Sequence, residues 1–149
     1  MKTRALISVF TLVLASILLA PPSPAQATAP EPLTITADLW LTGENSAAGT
    51  FGSSGLFSDS GAASQVFYAA GNTIHGVKTL QSANGTITIH FQAQSTWTSP
   101  TTAVAEGRFV IVSGTGAYET LHGVGLTHAE IDLTTYHISA TYTGEAHFD

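Results

Sequence analysis

Residues 107–125 read Gly107-Arg-Phe-Val-Ile-Val-Ser-Gly-Thr-Gly-Ala-Tyr-Glu-Thr-Leu-His-Gly-Val-Gly125. A β-rich run, Arg108 to Ser113, enters Gly114-Thr115-Gly116. An aromatic residue, Tyr118, and a second glycine pair, Gly123 and Gly125, follow. Glycine at this density beside strand-forming residues marks positions where a Cβ would clash or where φ is positive. The stretch therefore reads as strand, tight turn, strand, with the five motif residues Gly114, Thr115, Gly116, Gly123 and Gly125 in a structural role.

The same two-residue period recurs on either side. Leu33, Ile35, Ala37, Leu39 and Leu41 alternate with Thr34, Thr36, Asp38 and Trp40. Ile87, Ile89, Phe91 and Ala93 alternate with Thr86, Thr88, His90 and Gln92, and Ile138, Ala140 and Tyr142 with His137, Ser139 and Thr141. This is the signature of half-buried strands, and no segment after residue 32 has helical periodicity. Strands are expected at about 33–41, 49–57, 64–70, 74–82, 86–94, 103–113, 124–133 and 136–146, with the glycine-rich stretch 49–55 of the second expected to be loop-like or bulged. Asn84-Gly85 predicts a two-residue type I′ hairpin. Gly71-Asn72 and Thr134-Thr135 are weaker turn signals. Eight strands with short links predict an all-β fold, an up-and-down eight-stranded antiparallel β-barrel or a sandwich, and the barrel is the expectation because it leaves no edge exposed.

The N-terminus reads differently. Lys2 and Arg4 precede a largely apolar run, Ala5 to Ala20, then prolines and Ala25-Gln26-Ala27. This is the pattern of a signal peptide, and the run is short for a membrane span. The expected organisation is a signal peptide over 1–27 cleaved near Ala27, a flexible lead over 28–32, and a single barrel domain over 33–149. The protein is expected to be secreted, periplasmic or extracellular. Past residue 27 only Lys78 and Arg108 stand against ten Asp and Glu, a formal charge of −8. That balance argues against nucleic acid and against an anionic membrane surface. With no cysteine, thiol chemistry and Cys-ligated metals are excluded.

The glycine motif carries a resemblance. Gly114-Thr115-Gly116-Ala117-Tyr118 with Gly123-Val124-Gly125 resembles the G-T-G-x-[FY]…G-x-G stretch of allene oxide cyclase and dirigent-like barrels, including their bacterial relatives. Ser58-Asp59-Ser60-Gly61, His75-Gly76 with Thr79-Leu80, Gly85-Thr86-Ile87 and the closing Asp132 to Gly144 fall in a similar order, so the likeness covers most of 45–149. The resemblance implies a calycin-like barrel whose apolar interior binds a small hydrophobic or phenolic molecule. It also implies either a cyclase or isomerase activity or dirigent-type steering of a coupling reaction, and a possible homo-oligomer. No catalytic residue of the family is carried over.

Candidate ligand-binding residues are Trp40, Phe67, Lys78, Phe91, Arg108, Tyr118 and Tyr142. With Asn84-Gly85 as a two-residue turn, Lys78 faces Phe91 on the apolar side, where a buried amine is costly and often functional. A bulge or snorkelling at the rim would instead turn it outward. Arg108 shares a face with Glu106, opposite Phe109 and Ile111. It is either half of a solvated ion pair or a contact for an anionic head group. Tyr118 reads as a packing aromatic or a hydrogen-bond donor. The six histidines, His75, His90, His122, His128, His137 and His147, form no close-spaced metal pair. A turn at Thr134-Thr135 sets Asp132 opposite His137 on a polar face. No metal and no cofactor is expected. The competing reading is a non-catalytic extracellular module with a solid core, an apolar surface patch and Trp97 in a loop.

Overall fold

The computed structural model describes residues 28–149, so the signal peptide and cleavage site expected over 1–27 lie outside the described residues. Eight strands follow in order: β1 (Glu31–Gly43), β2 (Ser46–Gly55), β3 (Asp59–Ala70), β4 (Thr73–Gln81), β5 (Thr86–Trp97), β6 (Thr102–Gly114), β7 (Leu121–Asp132) and β8 (His137–Phe148). A single 3₁₀ turn, Gly116–Tyr118, interrupts the link from β6 to β7. Each strand pairs antiparallel with its sequence neighbours, and β1 pairs with β8 to close the barrel. All eight expected strands are present. The segment expected over 28–32 to be a lead already enters β1 at Glu31, paired with Ala146.

Alternation decides what points inward. On β1, Leu33, Ile35, Ala37 and Leu39 are buried and the residues between them face out. The glycine-rich β2 is a regular strand paired with β1 from Leu33↔Gly55 to Leu41↔Ala47. Leu80, Ile87, Ile89, Phe109, Ile111 and Leu121 fill the half of the barrel nearest the β4–β5 and β6–β7 links. We call this the closed end.

The Asn84-Gly85 hairpin differs from the expected one. Its loop is Ser82–Gly85, four residues, and Leu80 pairs with Ile87 rather than Ile89. The two-residue shift leaves every side chain on its expected face, because strand periodicity is two. The loop takes this form because it is docked. Ala117 N–H donates to the Asn84 carbonyl at 2.9 Å, and Thr115 N–H to the Thr86 carbonyl at 2.9 Å. The turn at Thr134-Thr135 gives the expected register, Asp132 opposite His137.

Tyr118 is buried at this end. Its hydroxyl donates to the Asp59 carboxylate, which also accepts from Ser82 Oγ at 2.5 Å, Asn84 Nδ2 at 3.2 Å and Ser60 N–H at 2.8 Å. Ser82, Tyr118, Ser60 and Asn84 together hold the Asp59 carboxyl well below its ordinary range. Burial, with Asp59 beside it, pushes the Tyr118 phenol up to about 12. One carboxylate thus ties three connections together and seals the closed end.

Candidate functional site: a pocket in the open half

The opposite half is hollow. The inward positions here are small: Ala93 on β5, Ala103 and Ala105 on β6, Ala129 on β7 and Ala140 on β8. Ala105, Ala129 and Ala140 are direct neighbours across three strands. A ring that is filled by leucine, isoleucine and phenylalanine one layer down is left open where methyl groups replace them. The result is a cavity of about 290 Å³ whose wall also includes Leu41, Ile74 and Ile131, with Glu44 and Trp97 at its mouth.

Its floor is aromatic. The Tyr142 ring meets Phe109 edge-on at 5.3 Å between centroids and Phe91 at 6.4 Å. The Phe91 ring occupies the space where a Cβ on Gly76 would stand, so glycine at 76 is what lets Phe91 lie flat against β4. Gln65 and Thr127, both buried, add polar groups to the wall. Burial pushes the Tyr142 phenol far up, and the Thr127 hydroxyl offsets part of that rise.

Lys78 sits at the level of this floor, in register with Gln65 on β3 and Ile89 on β5. It is 0% exposed. Its Nζ has no hydrogen-bond partner and stands 4.8 Å from the centroid of the Tyr142 ring. Burial alone pulls the amine down to about 7. The inward placement is therefore the one the structure adopts, not the outward or rim placement.

The seven candidate residues do not form one site. Phe67, Phe91 and Tyr142 line the cavity, and Lys78 lies against Tyr142. Trp40 does not. It is 49% exposed on the outer face of β1, against His137 at 4.9 Å. The even-numbered parity of β1 puts it there. Arg108 also faces outward, because Phe109 and Ile111 take the inward positions of β6. It lines a shallow outer groove, so a role as an internal anchor is corrected. Tyr118 is at the sealed end, away from the cavity. Trp97, expected in a loop, is the last residue of β5 and stands at the mouth. Gly114 ends β6, Gly116 has φ +62, and Gly123 and Gly125 lie on β7 beside the Ile111 and Phe109 side chains.

The histidines are spread over several strands, with His122 and His147 stacked as a pair, ring centroids 5.6 Å apart. His137 pairs with Asp38 at 3.2 Å rather than with Asp132, which instead accepts from Thr134 N–H at 2.8 Å. His128 approaches Glu106 at 3.4 Å, and His122 and His147 share Asp149. Among the described residues no group of three or more His, Asp or Glu side chains, the His122–His147–Asp149 cluster included, is placed to hold a metal ion.

Fold and site together define a closed eight-stranded antiparallel barrel with an internal pocket open at one end. Comparison with protein-family profiles, curated proteins and solved structures gives no match.

Proposed function

We propose that this protein is a secreted barrel that binds a small hydrophobic or phenolic molecule inside its open half. The observation that carries the reading is the cavity: apolar walls, an aromatic floor and a few inward polar groups, as small-ligand sites require. The resemblance of the Gly114–Gly125 stretch to allene oxide cyclase and dirigent-like barrels supports the same reading, and the signal-like residues 1–27 support export. A pocket of this kind holds a flexible intermediate in one reactive conformer, which is the basis of a cyclase, isomerase or steering activity with few catalytic groups. Native mass spectrometry of the protein purified from its own source tests the reading. A stoichiometric small molecule released on denaturation is expected. An empty protein that takes up nothing from a panel of lipids and phenols would overturn it.

A second reading rests on the outer face. Val66, Val77, His90, Val110 and Val124 are register neighbours across β3 to β7, and Val66, Val110 and Val124 are exposed. A row of exposed valines on a sheet favours contact with another protein surface or with a second copy. Sedimentation over a range of concentrations checks it: a monomer throughout removes the second copy.

A further inference from the structure

We infer that the pocket selects a small aromatic or unsaturated carboxylic acid, its carboxylate held at the floor by the Lys78 amine. The inference rests on the small-molecule reading above and names the chemistry of the ligand.

Three observations converge. The first is an amine without a partner. Lys78 Nζ is the one buried side-chain nitrogen or oxygen among the described residues that lacks a hydrogen bond. Buried charges are normally paired, and leaving one unpaired is costly. Residues 28–149 contain only two Lys and Arg, and one of them is enclosed in the barrel. A solubilising role does not explain that placement.

The second is the absence of an internal counter-ion. Gln65, Lys78 and Thr127 are the buried polar or charged residues among those described; Gln65 and Thr127 line the cavity with Tyr142, and Lys78 lies against the Tyr142 ring outside that lining. Tyr142 faces Lys78 from β8, Gln65 pairs with it from β3, and Ile89 from β5. The carboxylates nearest the interior are elsewhere. Asp59 is engaged by Tyr118 at the closed end, and Glu44 is exposed at the mouth. The floor therefore offers an amide and two hydroxyls able to donate, with the Lys78 amine packed against the Tyr142 ring that forms it, and no anion to receive them.

The third is shape. The walls are alanine with Leu41, Ile74 and Ile131, over the Phe91 and Tyr142 rings, suited to an apolar body that packs on an aromatic floor. At about 30 Å³ per water-sized group, 290 Å³ accommodates on the order of ten such groups. An acid of that size, turned with its carboxylate down, meets Lys78 once the flexible stem swings from the Tyr142 face toward Gln65. The ion pair then forms in a dry site, where charge-assisted hydrogen bonds are strong. A neutral amine accepts a proton as the carboxylate binds.

Calorimetry with trans-cinnamate and with cinnamyl alcohol, at pH 8 in buffers of different ionisation enthalpy, tests this. Wild type is expected to bind cinnamate about tenfold or more tighter than the alcohol and to take up about one proton per cinnamate. Lys78→Met is expected to weaken cinnamate by about 10- to 100-fold and to leave the alcohol within about twofold. Equal affinity for acid and alcohol, no proton uptake, or a Lys78→Met protein that binds cinnamate like wild type would overturn the carboxylate inference and leave the binding barrel standing. Failure of wild type to bind either probe, or any member of the lipid and phenol panel, would overturn both. If Lys78→Met does not fold, the acid-to-alcohol ratio and the proton count of wild type decide alone.

Discussion

Lys78 Nζ rests on the face of the Tyr142 ring, 4.8 Å from its centroid, and has no hydrogen-bond partner among the described residues. Cation–π attraction offsets part of the desolvation cost, on the order of 1–2 kcal/mol.

Stability is therefore expected to depend on pH through this one side chain. The unfolded amine keeps its proton to about 10.5, whereas the folded one releases it near 7. Between these values the unfolded chain binds more protons, so stability rises with pH across the window, by about 1.4 kcal/mol per unit. Lys78→Met removes the dependence. It is expected to be more stable than wild type at pH 7 by several kcal/mol, a gap that closes as pH rises toward 10.5. Urea denaturation of both proteins at several pH values checks the sign and the slope.

Asp59 gives the same sign in an acid window, but as a group whose folded contacts stabilise rather than one whose burial costs. Its carboxyl is held below the ordinary 3.8 by Ser82, Tyr118, Ser60 and Asn84. The stability it contributes is complete above about pH 4 and is lost as pH falls toward the lowered value. Asp59→Asn and Tyr118→Phe are both expected to lower the melting temperature at pH 7. Asp59→Asn should flatten the acid limb of a melting-temperature profile between pH 5 and 2.

Two glycines separate strain from crowding. Gly71 and Gly116 share φ +62, but a Cβ at 71 meets nothing within 4 Å and one at 116 stands 2.5 Å from the Asn84 carbonyl oxygen. Gly71→Ala is expected to cost about 1 kcal/mol, the left-handed penalty alone. Gly116→Val should cost about 3 kcal/mol or more, because it also forces apart the two loops of the closed end. Denaturation midpoints of the two variants measure the difference.

Filling the pocket should separate binding from folding. Ala105 lies on its wall, with Ala129 beside it. Ala105→Phe is expected to remain within about 1 kcal/mol of wild-type stability, since the ring enters existing space. It should abolish uptake of cinnamate or of any co-purified molecule, read by calorimetry and native mass spectrometry.

Much of this architecture was legible in the chain. Period-two runs locate most of the strands, the glycine-rich second one excepted, and parity offers an inward Lys78 and an outward Arg108 while a bulge or a ligand-filled interior would reverse either. The same parity contradicts Trp40 as a pocket residue, since Trp40 belongs to the polar set of β1 with Thr34, Thr36 and Asp38. Two features were hidden. The four-residue form of the Ser82–Gly85 loop depends on Thr115 and Ala117, about thirty positions away, so no local turn rule reports it. The pocket is made by side chains that are missing. Bulky aromatics attract attention in a sequence, whereas the informative residues are Ala93, Ala105, Ala129 and Ala140, whose methyl groups fail to fill a layer. The signal available was a change along each strand, from Ala105 to Phe109 and Ile111 on β6, and from Ile87 and Ile89 to Ala93 on β5.

The β1–β8 pairing has a consequence for how the ring assembles. Seven of the eight strand pairs join neighbours in the chain, each closed by a short link. The eighth joins Glu31 to Ala146 and Trp40 to His137, across almost the whole domain. Loop closure over that distance costs the most entropy, so this seam is the pairing expected to form last and part first. Until it forms, an eight-stranded ribbon carries two free edges and an uncovered apolar face. The barrel is thus protected from sticking to its neighbours by a single zip, and the residues along it govern solubility during folding more than any that line the pocket.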